Sequence, residues 1–201
     1  MLLKLFQVGE PVLRQKAREL TMPEITSDHI QGVIWLMQET LRDAPGVGLA
    51  APQIGEAIQL AIIEDLPEYA RNLTAQQAAE REREPVPFHV IINPRLTPIG
   101  DADVEFFEGC LSLTGFTGLV PRYRSVRVEC LDAQGIPTTI EATGWYARIL
   151  QHEIDHLNAI LYVDRMHPRT FMSVENYARR WKDLSIHELK STLGITRIPE
   201  P

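Results

Sequence analysis

Apolar positions along the chain follow different periods in different stretches. From 28 to 42, Ile30, Val33, Ile34, Met37 and Leu41 recur at helical spacing behind Ser27, a residue type suited to the N-cap, so a helix is expected there. The runs IQLAIIE (58 to 64) and FHVIINP (88 to 94) are short, β-branched and apolar, and read as strands. VEFFEGCLSL (104 to 113) adds more strand material. The stretch 123 to 142 is split by the turn residues Asp132, Ala133, Gln134 and Gly135, which predicts an antiparallel hairpin. From about Thr143 and Gly144, Trp145, Ile149, His152 and His156 fall at spacings of four, three and four, the signature of one helix face.

Strands are thus interrupted and followed by helices with no regular strand–helix alternation, so the expected class is α+β, with antiparallel sheets packed around a central helix. The stretch between the first two strand runs is polar and helix-prone without an apolar stripe, so 64 to 88 reads as a solvated surface excursion. Beyond Pro168 the composition is mixed, with helix formers up to Gly194, and 168 to 201 reads as a C-terminal tail. The whole of 1 to 201 is expected to form one domain.

Composition narrows the context. With 44% hydrophobic and 23% charged residues the 201-residue chain suits one packed core, and a net charge of -7 with a pI near 5.4 argues against DNA as the partner. No apolar run is long enough to span a bilayer, so no membrane partner is expected. The start MLLKLFQVGEP has the character of neither a signal nor a transit peptide, and the reading is a cytoplasmic bacterial protein, with a processed organellar form as the alternative. Two cysteines, Cys110 and Cys130, make no disulfide framework and leave a thiol free to act as a ligand.

The chemistry concentrates in short motifs. His152, Glu153 and His156 form H-E-x-x-H, in which imidazoles four residues apart can bind one metal ion while the glutamate stands beside it as a base. Two histidines do not complete a site. Cys110, in EGCLSL, is a candidate third ligand, since a thiolate and two imidazoles suit a divalent metal with one open position. In PGVGLAAPQIG (45 to 55) the small residues let another backbone come close, and Gln53 offers an amide that can donate to an oxyanion.

GVGLAAPQ, EGCLS and HEIDH, in this order, resemble the motifs of peptide deformylases, and the resemblance runs from about Leu5 to Met166. It implies one divalent ion per chain, held by Cys110, His152 and His156 with water in the remaining position. Ferrous iron (Fe2+) is the family's usual ion, and zinc (Zn2+) or another divalent ion can take the site. Glu153 would be the general acid and base, and Gln53 with the Leu111 N–H would receive the oxyanion. The Val47–Gly48 backbone would pair with the substrate as an added strand. Trp145 and Ile149 share the metal face of the helix and could join Val47 in an apolar pocket for a methionine side chain; Gly109 belongs to the same substrate-binding set. The implied reaction is removal of the N-formyl group from nascent N-formylmethionyl polypeptides, releasing formate.

The chain departs from many bacterial members after EGCLS, where Leu113, Thr114, Gly115, Phe116 and Thr117 offer no arginine to meet the peptide. With the 64 to 88 excursion and GWYARILQHE, this is more similar to the organelle-type branch. Other readings need other groups. A zincin-type peptidase would take a downstream third ligand, for which Asp164 and His167 are available; a non-catalytic metal-binding member would have lost a catalytic group. The tail cations Arg179, Arg180, Lys182, Lys190 and Arg197 raise docking to the ribosome, but Glu175, Asp183 and Glu188 interleave with them as on a solvated helix face.

Overall fold

A computed structural model describes residues 2–71, 75–100 and 104–195. After a short helix α1 (Met22–Ile25) comes α2 (Asp28–Asp43), whose first turn is capped by the Ser27 hydroxyl accepting from the Ile30 N–H at 3.3 Å. Ile30, Ile34, Met37 and Leu41 are buried, as their spacing predicts. Strands β1 (Gly48–Ala50), β2 (Leu60–Asp65), β3 (Val86–Ile99), β6 (Ser125–Leu131) and β7 (Pro137–Thr143) form one antiparallel sheet in the order β1-β2-β3-β6-β7. Strands β4 (Val104–Cys110), β5 (Leu113–Arg122) and β8 (Met172–Ser173) form a second, in the order β4-β5-β8.

The larger sheet is covered on both faces. Leu60 and Ile62 of β2 pack with α2, whereas Ala61 and Ile63 pack with the long helix α4 (Gly144–Leu157). Alternate residues therefore enter different cores, which explains why β2 reads as a continuous apolar run. Helix α4 passes between the sheets and brings Ala147, Ile149, Leu150, Ile154 and Leu157 into the core. The α+β class with antiparallel sheets around a central helix is the architecture found.

Two departures from the sequence reading matter for the site. The 104 to 113 stretch is a hairpin, because the chain reverses at Leu111 and Ser112 between β4 and β5, within apolar residues that carry no Asn-Gly-type turn signal. In the stretch 64 to 88, a short helix α3 (Ala75–Glu80) leads to a limb that turns inward. Arg83 there donates to the buried Asp65 carboxylate at 2.8 and 2.9 Å, and Val86 enters the core. Gly144 receives this limb: it has φ +64, and a Cβ on it would sit 2.8 Å from the Arg81 carbonyl oxygen. Only glycine fits both demands. In the tail, α5 (Val174–Arg180) and α6 (Ile186–Thr192) lie beside the smaller sheet, with Leu189 buried and Lys190 paired to Glu105 of β4 at 2.7 Å. No helix among the described residues is long and apolar enough to cross a membrane.

Candidate metal centre and adjoining pocket

The α4 backbone sets the two histidines on one face, with ring centroids 5.0 Å apart, and the β4–β5 turn brings Cys110 against them. Ligating atoms of Cys110, His152 and His156 lie within 4.8 Å of one another, and the sulfur is 3.3 Å from His156 Nε2. Bonds of about 2.3 Å to sulfur and about 2.1 Å to nitrogen at tetrahedral angles set those two atoms roughly 3.6 Å apart, so the donor set fits a zinc-sized divalent ion. His152 Nδ1 lies 2.9 Å from Glu108 Oε2, which orients the ring so that Nε2 serves the site.

Glu108 is itself pinned. Its buried carboxylate accepts from Arg122 Nε and Nη2, both at 2.9 Å, and from Arg148 Nη1 at 2.6 Å. Burial pushes its pKa up, but Arg122, His152 and Arg148 outweigh that and hold it well below the ordinary value. Arg122 continues to Asp155 at 2.5 Å, and Asp155 also accepts from Arg165. This network ties both strands of the β4–β5 hairpin to α4, and so fixes Cys110 relative to the histidines. Burial opposes charge on His152, yet the Cys110 sulfur and Glu108 hold its pKa well above the usual value; burial and His152 together push that of His156 well below.

Glu153 is 4% exposed, and its Oε2 is buried with no hydrogen-bond partner among the described residues. Burial pushes its pKa up to about 7, poising it to take and return a proton near neutrality. The carboxylate lies over Gly48, where a Cβ would be 2.4 Å from Glu153 Oε1. Gln53, 2% exposed, has its orientation fixed by the Ala50 N–H, which can only donate, at 2.8 Å from Oε1. Its Nε2 therefore faces Ser112 Oγ at 3.2 Å and Cys110 Sγ at 3.4 Å. Gln7 Nε2 donates to the Leu111 carbonyl at 2.9 Å and steadies the turn.

These groups open on a cavity of about 610 Å³, within the usual range for a ligand pocket. Gln53, Cys110, Leu111, His152 and Glu153 line it together with Val47, Gly48, Gly109, Trp145 and Ile149; His156 is buried behind them. Asp164 and His167 are engaged elsewhere, Asp164 by Arg14 and His167 Nε2 by Glu105 at 2.5 Å, and neither joins the Cys–His–His group. The lining also includes Arg83, Phe107, Arg148, Phe116 and Val174, for which the sequence suggested no role. Glu108 and Arg148 were legible in principle. Glu108 is two residues before Cys110 in a strand, and Arg148 is four before His152 in a helix, so each shares a face with a ligand. Arg83 gave no signal, because an arginine in a polar stretch looks solvated; here its guanidinium carbon lies 5.2 Å from the centre of the Trp145 ring.

A sequence model of the family described as Polypeptide deformylase matches residues 2–171. Peptide deformylase 1A, chloroplastic, of Solanum lycopersicum is 46% identical over 170 residues, covering 85% of this chain and 61% of that protein. Peptide deformylase 3 of Streptomyces avermitilis is 38% identical over 193 residues, covering 96% of this chain and 84% of the relative. Among solved structures, the Met-Ala-Ser-bound class I type b peptide deformylase from Acinetobacter baumannii superposes with a TM-score of 0.73 at 30% identity, covering 83% of this chain and 99% of that one. The chain spans about three fifths of the tomato protein's own length.

Proposed function

The chain belongs to the polypeptide deformylase family, and from that premise we propose that it hydrolyses the N-formyl group of N-formylmethionyl polypeptides, releasing formate and a free amino terminus. The observation that carries the reading is one pocket that joins the Cys110–His152–His156 donor set to the Gln53 amide and to a buried carboxylate oxygen on Glu153 that has no partner among the described residues. Cys110, His152 and His156 would hold one divalent ion. When bound, it supplies Lewis acidity toward water and the formyl carbonyl.

The chain's own groups do the rest. Glu153 accepts a proton from the attacking water as its oxygen bonds to the formyl carbon, and returns that proton to the nitrogen as the carbon–nitrogen bond breaks. Gln53 Nε2 exchanges its weak contacts with sulfur and hydroxyl for the developing oxyanion, with the Leu111 N–H as second donor. The peptide would add along β1, the edge strand of the larger sheet, with Val47 and Gly48 pairing to its backbone. The methionine side chain would enter between Val47, Trp145 and Ile149 beside Gly109.

The finer assignments follow the same reading: ferrous iron as the cellular ion, with zinc able to replace it, and a bacterial cytoplasmic setting, with a processed organellar form as the alternative. The tail cations fit a solvated helix face better than ribosome docking, since Glu175, Asp183 and Glu188 interleave with them and Lys190 is paired to Glu105; Arg197 lies outside the described residues. The organelle-like branch agrees with a higher identity to the tomato chloroplast protein than to the Streptomyces one. Incubating metal-loaded protein with a formyl-methionyl peptide tests the reading. Formate should appear in step with the deformylated peptide, with no internal peptide bond cut; internal cleavage without formate would instead mark a peptidase.

A further inference from the structure

Phe116 and Phe171, together with Val174 just beyond the family-matched residues, build one side of the pocket mouth. β8 pairs with β5 through Phe116 opposite Ser173 and Thr117 opposite Met172. This pairing lays Phe171 on Phe116, with ring centroids 5.0 Å apart and planes 11° from parallel, and sets Val174 at the pocket rim. Phe116, Phe171 and Val174 are 42%, 43% and 47% exposed. Behind them Tyr177 packs on Phe107, a lining residue, at 4.4 Å. The shelf is held in place by Ser173 capping α5, by Leu189 buried under α6 and by the Lys190–Glu105 ion pair.

Exposed apolar side chains that adjoin each other and continue a pocket mark a contact surface more often than isolated ones do. An extended substrate with its first side chain in the pocket advances about 3.3 Å per residue, so its next one or two residues come within reach of the rim that Phe116 and Val174 form. Pro45, Gly46 and Val47 line the same pocket as Phe116 and Val174. Thr114 and Gly115 beside the shelf bring no charge to the rim.

The geometry points to an apolar shelf, formed by Phe116, Phe171 and Val174, that selects peptides with an apolar or aromatic residue directly after the formylmethionine or one place later. It rests on the deformylase reading for the direction of the peptide. The occupant is the substrate itself, because Phe116 and Val174 of the shelf line the same pocket as Gly48, Gln53, His152 and Glu153. The segment from Phe171 to Val174 would then shape specificity as well as cover the surface.

The test compares kcat/KM for formyl-Met-Ala-Ala, formyl-Met-Phe-Ala and formyl-Met-Ala-Phe in the wild type and in Phe171→Ser, Phe171→Leu and Val174→Ser. Each variant is read as a ratio between peptides, which cancels differences in folded or active fraction. Covering roughly 50–60 Å² of apolar surface gives about a tenfold preference for one of the phenylalanine peptides in the wild type. The ratio should fall toward one in both serine variants and be largely restored in Phe171→Leu. Ratios equal in all four proteins would overturn the shelf while leaving deformylation intact. Binding of the product peptides Met-Phe-Ala, Met-Ala-Phe and Met-Ala-Ala, measured by calorimetry, decides the shelf even if no formate is released: a preference for a phenylalanine peptide that Phe171→Ser abolishes supports it, and equal affinities overturn it. If Phe171→Ser turns a dimer into a monomer in sedimentation without changing the ratios, the shelf joins two copies of this chain and the substrate assignment is wrong.

Discussion

Cys110 and Gln53 sit 3.4 Å apart, yet their substitutions should fail in opposite ways. Cys110→Ala removes a charged donor from the Cys–His–His set and should sharply lower metal content per chain, with activity falling in proportion; metal analysis after gel filtration checks this. Gln53→Leu keeps the volume and removes the amide donor. It should retain the metal, lower kcat by about 10²- to 10³-fold (~3 kcal/mol) and change KM little, as for other lost oxyanion donors. A Leu variant with normal kcat and a raised KM would reduce Gln53 to positioning substrate. That Cys110, His152 and His156 come together, with Glu153 and Gln53 in the adjoining pocket, was legible because the chemistry expected of the motifs demands those residue types at those spacings. Glu108 went unread although it orients His152 at 2.9 Å, since a carboxylate in a strand gives no sign that arginines from another strand and a helix will neutralise it.

The elements explain why such small residues stand at the site. β1 lies so close to α4 that Gly48→Ala would drive a methyl group into the Glu153 carboxylate, 2.4 Å away. The variant should fold and bind metal but lose at least about tenfold in kcat as Glu153 is displaced from its proton-transfer position, which steady-state kinetics on metal-matched samples will show. On the far side of the β4–β5 hairpin, burial raises the pKa of Glu105, but Lys190 and His167 outweigh this and leave it below the ordinary value. A lowered carboxylate pKa contributes stability that is complete above the unfolded value and is lost as pH falls through the folded one. The stability difference between wild type and Glu105→Gln should therefore be greatest near neutral pH and shrink with acidification below the carboxylate range, as denaturant titrations at several pH values can measure. The helices α2 and α4 and the β6–β7 hairpin were readable because periodicity and caps are local. The β4–β5 hairpin and the inward limb around Arg83 were not: their turn and burial depend on partners distant in sequence, Gly144 and Asp65 among them.

Across the whole molecule, each sheet contributes to the site and α4 lies between them. The larger sheet brings Gly48 on its edge strand, the smaller brings Cys110 and the Glu108 network, and the helix presents His152, Glu153 and His156. The α+β class was legible from the order of the elements, but the C-terminal segment's share in the pocket rim was not, because its short helices carry few buried side chains to announce a docking face. The most direct measurement is formate release from a formyl-methionyl peptide by wild type and Glu153→Ala, each prepared anaerobically with one divalent ion per chain. Sustained turnover in the wild type and a loss of at least about 10²-fold in the variant at equal metal content are expected from removing the proton carrier. Equal turnover by the two proteins, or no formate from the metal-loaded wild type, would contradict the account.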